Sequence, residues 1–110
     1  MKYYERLKDI PAGKTEPYIT HYMLKEENGC VAGCSAGISI HTKTEYPAPG
    51  NHADQEGFLV LEGTGWAKVG SQEFKIEPET SFIVPANMPH TIKKDIDSIP
   101  VKVFWFHAAI

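Results

Sequence analysis

The chain is built from short apolar runs separated by glycine, proline and asparagine, and the runs are rich in β-branched and aromatic residues. Short runs of this kind between turn-forming residues are typical of β-strands. The 9 glycines and 8 prolines would also interrupt almost any long helix. The pattern therefore predicts an all-β domain of about eight to ten short strands, and so many strands in so short a chain indicate a closed barrel or jelly roll.

The individual strands are predicted from the runs between turn signals. They cover residues 17–24, 36–44, 58–62, 66–69, 73–76, 81–84, 90–94 and 100–106. The run at 58–62 is apolar at successive positions, which predicts a strand buried on both faces. Residues 1–16 begin with helix-like apolar spacing, but Pro11 and Gly13 end any such turn early.

Size and charge exclude several classes of protein. A chain of 110 residues forms one domain, and its 42% hydrophobic and 23% charged residues are typical of a globular fold. A formal net charge of −3 offers no basic surface, so nucleic acid is not an expected partner. No apolar run approaches the roughly 20 residues that span a bilayer, and the N-terminus lacks the apolar stretch of an export signal. The expected location is the cytoplasm, without a membrane partner.

The two cysteines, Cys30 and Cys34, are separated by three residues. Redox and zinc pairs typically have two residues between them. We therefore interpret both cysteines as small apolar residues near the start of a strand, with a regulatory disulfide as the alternative.

His52, Glu56 and His90 are the candidate metal ligands. Two imidazoles and one carboxylate can form a facial triad, which suits Fe(II), Mn(II) or a similar ion and leaves coordination positions open. Residue types and spacing alone also allow the simpler interpretation of surface histidines beside a solvated glutamate.

The sequence around these residues resembles two motifs of the cupin superfamily. Residues 50–63 read GNHADQEGFLVLEG, and the first cupin motif has two histidines separated by one residue, then a glutamate and a glycine. His52 corresponds to the second histidine, Glu56 to the glutamate and Gly63 to the glycine. Residues 81–90, SFIVPANMPH, resemble the second motif, with Pro85 and His90 as the matching positions. The resemblance covers about residues 36–106.

This resemblance implies an antiparallel cupin β-barrel, also called a double-stranded β-helix or jelly roll. The single domain 1–110 would consist of an N-terminal extension with the first strand, residues 1–35, and the conserved barrel, residues 36–107. A divalent metal ion (Fe, Mn, Ni or Zn) would be held inside by His52, Glu56 and His90. Ligands distant in sequence can meet there because alternate side chains of every barrel strand point inward.

The sequence differs from the cupin motifs at several positions, and one of these differences changes the number of metal ligands. Gly50 stands in place of the first histidine, so three ligands remain, which either opens a position for substrate or indicates a decayed site. Asn87 replaces a motif-two glycine and tolerates a positive φ angle. Glu79 replaces the glycine that usually opens this motif. His41, His107 and His21 are the candidates for the missing ligand, with His41 first. Each is nevertheless predicted to be an ordinary exposed or hydrogen-bonded histidine.

Fold does not determine function in this architecture. The favoured hypothesis is a metalloenzyme of the isomerase or epimerase, lyase or dioxygenase type, acting on a small sugar or organic acid with Glu56 as the catalytic residue. One alternative is a non-catalytic small-molecule-binding or sensor module, and another is a metal-free barrel that acts through binding or dimerisation. A homodimer is expected, with the segment 17–24 at its contact.

Overall fold

The computed structural model describes residues 1–108 and contains eight β-strands and two short 3₁₀ turns. The turns are Leu7–Asp9 and Glu26–Asn28. The strands are β1 Ile19–Leu24, β2 Ser35–His41, β3 Gln55–Glu62, β4 Gly65–Val69, β5 Gln72–Ile76, β6 Ser81–Val84, β7 His90–Lys94 and β8 Val101–Ala108.

The strands form two antiparallel sheets, as the all-β prediction requires. One sheet has five strands in the order β1-β2-β8-β3-β6, and the other has three in the order β5-β4-β7. All eight predicted strands are present; β6 and β7 have the predicted ends, and the other strands differ at one or both ends. β2 ends at His41, and β3 begins at Gln55, three residues earlier than predicted, so that it includes Glu56.

The core lies between the two sheets and consists mainly of branched aliphatic side chains. Its fully buried members are Val60, Ile76, Val84, Val101 and Val103. Burying one such side chain contributes about 1.5–3 kcal/mol, so these positions stabilise the barrel that carries the site.

The outer face of β3 corrects one prediction. Val60 is fully buried, but Leu59 and Leu61 are 38% and 41% exposed. The strand is therefore not buried on both faces, because successive side chains alternate and the outer face of an antiparallel sheet can remain in contact with solvent.

Three turn residues adopt the left-handed backbone conformation at positions where the cupin motifs use glycine. Gly63 has φ +80°, Glu79 has φ +71° and Asn87 has φ +62°. The prediction that Asn87 supports a positive φ is confirmed. Glu79 carries the strain of this conformation without the usual glycine.

The N-terminal segment crosses the outer edge of β1. The Gly13 N–H donates to the Thr20 carbonyl and the Thr20 N–H donates to the Lys14 carbonyl, both at 2.8 Å. These bonds hold Lys14 beside the barrel interior. Cys30 and Cys34 are free thiols just before β2, with Cys30 half-buried and Cys34 exposed. Within residues 1–108, no helix has the length and apolar character needed to cross a membrane.

Candidate metal centre

One end of the barrel collects ionisable side chains from separate parts of the chain. Glu56 points inward from β3 and is 7% exposed. His90 begins β7, and His52 lies in the loop before β3. Suitable donor atoms of these three residues lie within 4.8 Å of one another, so the structure brings the sequence-predicted ligands together.

The Glu56 carboxylate is the centre of this group. Its Oε1 atom lies 3.0 Å from His52 Nε2 and 3.3 Å from His90 Nε2. Its Oε2 atom lies 3.3 Å from the Nε2 atom of His107, which is directly opposite Glu56 in the β3–β8 pair. Three imidazoles therefore face one buried carboxylate.

The opposite ring nitrogens of the three histidines are all hydrogen-bond donors. His52 Nδ1 donates to Asp54 Oδ1 at 3.0 Å, and His107 Nδ1 donates to Asp54 Oδ2 at 2.9 Å. His90 Nδ1 donates to the Met88 carbonyl at 3.2 Å. A neutral imidazole has one donor and one acceptor nitrogen, so in the neutral form of these rings each Nε2 lone pair faces the carboxylate.

This donor set fits a divalent cation. Lone pairs of neutral imidazoles and carboxylate oxygens repel one another unless a proton or a metal ion lies between them. Metal-bound histidines almost always donate their second ring N–H to a carboxylate or carbonyl, as these do. The His52, Glu56 and His90 cluster offers the nitrogen and oxygen ligands that divalent metal ions use.

Two pKa shifts show how strongly the cluster is coupled. Burial raises the pKa of Asp54, but hydrogen bonds and charge from His107 and His52 outweigh it, so the net pKa is lowered. Burial lowers the pKa of His90, but hydrogen bonds to Glu56 and the Met88 carbonyl outweigh it, so the net pKa is raised. These contacts thus favour the charged forms of Asp54 and His90.

Of the other three histidines, His41 has surroundings different from those predicted. His41, the first candidate for the missing ligand, is 6% exposed, and its Nε2 atom has no hydrogen-bond partner among the described residues. Burial, and then the nearby His90, lower its pKa to about 4. His41 belongs to neither of the ligand groups found in residues 1–108, whereas His107, predicted to be ordinary, belongs to a second group with His52 and Asp54. His21 makes an ordinary hydrogen bond to the Ile10 carbonyl.

Two cavities meet at Glu56. One of about 300 Å³ has a largely apolar wall with a few polar groups: Lys14, Pro17, Tyr18, Ser39, His41, Pro47, Ala48, Gly50, Glu56, Phe58, His90, Thr91 and Ile92. The other, of about 270 Å³, is lined by Lys14, Tyr18, Thr20, Tyr22, Ser39, His52, Glu56, Trp105 and His107. Buried Trp105 Nε1 also lacks a hydrogen-bond partner among the described residues. The carboxylate is therefore accessible from two sides.

Sequence reasoning did not single out Asp54, and it ranked His107 behind His41 as a candidate for the missing ligand. A signal for His107 was present, because Val101, Val103 and Trp105 are buried at alternate positions of β8 and His107 is the next in that series. Asp54 lies between His52 and Glu56 in the sequence, but its position between two imidazoles depends on the fold.

Comparison with known proteins agrees with this geometry. The sequence model of the cupin domain family matches residues 38–107, and the chain belongs to this family. Curated protein sequences give no match.

Several solved structures share the fold at low sequence identity. The cupin domain of Schizosaccharomyces pombe Cnp3 is 20% identical, with a TM-score of 0.76 over 96% of this chain and 68% of that chain. An RmlC-like cupin from Shewanella frigidimarina is 12% identical, with a TM-score of 0.79 over 100% of this chain and 93% of that chain. Hydroxypropylphosphonic acid epoxidase from S. wedmorenis is 16% identical, with a TM-score of 0.78 over 94% of this chain and 58% of that chain. These similarities support the fold alone.

Proposed function

We propose that the chain binds one divalent metal ion through His52, Glu56 and His90 and uses it to transform a small sugar or organic acid. The reaction would be of the isomerase or epimerase, lyase or dioxygenase type. The observation that carries this proposal is the approach of both imidazole Nε2 atoms to Glu56 Oε1, at 3.0 and 3.3 Å, beside a cavity of about 300 Å³.

A metal ion held here would supply Lewis-acid polarisation of a substrate oxygen. The protein contributes the ligands and the space around them. A Cβ atom at Gly50 would have no heavy atom within 4 Å, so this side of the site is open to a substrate. The Glu56 carboxylate borders both cavities and is the group placed to accept a proton from a substrate in either one.

The cavity walls favour an organic acid over a neutral sugar. Lys14 lines both cavities, with its Nζ atom 4.6 Å from the centre of the Tyr18 ring. An ammonium group at the wall of these cavities suits a substrate carboxylate. Burial, followed by the charge of Glu56, raises the pKa of Tyr18, so that its hydroxyl stays protonated and can donate a hydrogen bond to an anion.

A non-catalytic binding or sensor module is the second candidate. His41 Nε2 and Trp105 Nε1 are buried polar atoms without partners among residues 1–108, and each belongs to a residue that lines one cavity. Buried polar groups normally have hydrogen-bond partners, so a bound small molecule would satisfy them whether or not it reacts.

The first experiment is elemental analysis of the purified protein beside a His52→Ala, His90→Ala double variant. Near-stoichiometric iron, manganese, nickel or zinc in the wild type and its loss in the variant support the site. Absence of metal from both, even after reconstitution, contradicts it. Glu56→Ala then separates the two candidates, because loss of turnover with retained ligand binding supports an enzyme.

We also propose a cytoplasmic homodimer. β1 is an edge strand of the five-stranded sheet, and its Tyr22 is 45% exposed, so the segment 17–24 can contact a second copy. The free thiols of Cys30 and Cys34 are consistent with a reducing compartment. Size-exclusion chromatography with light scattering tests the dimer, and a monomer at micromolar concentration would contradict it.

A further inference from the structure

Position 50 leaves the proposed centre one imidazole short of the set implied by the cupin motif. Gly50 forms a backbone pair with His90, with N–H to carbonyl distances of 3.1 and 3.0 Å. It therefore lies beside a proposed ligand but has no side chain to contribute. The replacement, if one exists, must come from another part of the chain.

His107 is placed to supply that replacement. It lies opposite Glu56 across the β3–β8 pair, and its Nε2 atom is 3.3 Å from Glu56 Oε2. The rings of His52 and His107 are 4.7 Å apart between centroids. Its side chain is mostly shielded, with 20% exposure, so it lies at the same inner end of the barrel as the other imidazoles.

Asp54 orients two of these imidazoles at once. One carboxylate oxygen accepts from His52 Nδ1 at 3.0 Å and the other from His107 Nδ1 at 2.9 Å. Both rings are thereby held with Nε2 toward Glu56, which is how a carboxylate prepares histidine ligands for a metal ion. The two rings are thus held in the same way by one carboxylate.

We propose that His107 is a fourth ligand of the metal ion held by His52, Glu56 and His90, and that Asp54 is the positioning residue for both His52 and His107. The last strand thus replaces the imidazole that position 50 lacks. The inference rests on the proposed metal site and extends it to a strand outside both cupin motifs.

The test is Zn²⁺ affinity of the metal-free full-length protein, measured by competition with a chelating dye. His107→Ala and His52→Ala should each weaken binding by more than about 100-fold, and Asp54→Asn by about 10–100-fold, the range for residues that orient ligands. The matched control is His21→Ala, which removes a histidine outside the cluster and should leave affinity unchanged. Thermal unfolding without metal checks that the variants fold, and His107→Gln is the second variant at that position.

Location of the ion decides between ligation and positioning. In crystals of the zinc-loaded protein, anomalous scattering should place the ion about 2.0–2.1 Å from the Nε2 atoms of His52, His90 and His107. An ion bound by His52 and His90 but beyond bonding distance of His107 overturns the inference and leaves the proposed function intact. An ion between Asp54 and the Nδ1 atoms also overturns it. A wild type that binds no zinc, iron, manganese or nickel contradicts both proposals.

Discussion

The rings of Tyr18 and His41 lie 4.6 Å apart between centroids, with their planes tilted by 30°. This contact covers an imidazole whose Nε2 atom has no partner among the described residues. Both residues line the cavity beside Glu56. The arrangement favours the neutral form of His41, because a buried imidazolium would need a counter-charge or water that the Tyr18 ring does not provide.

His41 should therefore make stability depend on pH. Burial lowers its folded-state pKa from 6.5 to about 4, so the unfolded chain binds the proton more readily. Well above pH 6.5, His41 is neutral in both the folded and the unfolded chain and does not lower the free energy of unfolding. As the pH falls from 6.5 toward 4, the unfolded chain takes up the proton first and the free energy of unfolding decreases progressively. A difference of this size corresponds to about 3 kcal/mol.

Urea unfolding of the metal-free wild type and His41→Gln at pH 7.5 and 4.5 measures this contribution. The wild type should lose about 2–3 kcal/mol more than the variant between the two pH values. The pH 7.5 pair serves as the control, since it reports the change in packing with His41 neutral. Equal losses in both proteins would show that His41 is not held neutral by the fold.

Glu79→Gly should stabilise the protein. Glu79 has φ +71°, a conformation that costs a residue with a Cβ atom about 1 kcal/mol and costs glycine almost nothing. We expect the free energy of unfolding to rise by about 1 kcal/mol in denaturant titrations. Glu77→Gly, two residues earlier and also exposed, should instead lower it by about 0.5–1 kcal/mol. A decrease for Glu79→Gly would mean that its side chain contributes more than the strain costs.

Gly65→Ala should destabilise the barrel strongly. Gly65 begins β4 and pairs with Lys94, and an added Cβ atom would overlap the Lys93 carbonyl oxygen of β7. Because the obstacle is backbone, relief requires the two strands to separate, and we expect a loss of about 3 kcal/mol or more. Gly50→Ala, where an added Cβ atom has no heavy atom within 4 Å, should be nearly neutral. Similar unfolding midpoints for the two variants would contradict the close approach of β4 and β7.

Gly50→His should restore metal affinity to the His107→Ala variant. The position has open space for a side chain and lies beside His90, and the resemblance to the first cupin motif places a histidine there. We expect Zn²⁺ binding in the double variant to be at least about tenfold tighter than in His107→Ala alone. Gly50→Ala in the same background is the control and should restore nothing. Failure of the rescue would show that position 50 cannot direct an imidazole to the ion.

The strands and the three motif ligands were accessible from the sequence because they depend on local patterns. Turn residues mark the strand ends. His52 and Glu56 lie in one short motif, residues 50–63, and His90 ends a second one, residues 81–90. The contact between Glu56 and His107 was not accessible in this way. It depends on the register of β3 against β8, two strands joined by more than half of the barrel sequence.

The same distinction explains the errors on individual residues. His41 lies on a predicted strand, and its inward direction could be guessed, but only the fold shows that its ring is covered by Tyr18 and is outside the ligand groups. Leu59 and Leu61 are hydrophobic residues, but they lie on the outer face of β3, which no second sheet covers, and they are therefore exposed. Composition could not distinguish these surroundings, since they arise from long-range packing.

The ligands of the proposed centre belong to both sheets. Glu56 and His107 lie in the five-stranded sheet, whereas His90 begins a strand of the three-stranded one. A metal ion shared by them would act as a cross-link between the two sheets at the mouth of the barrel. Removal of the ion would allow this end of the barrel to open while the valine-rich interior stays intact. Amide hydrogen exchange in β7 and β8 should therefore become faster before global unfolding is affected.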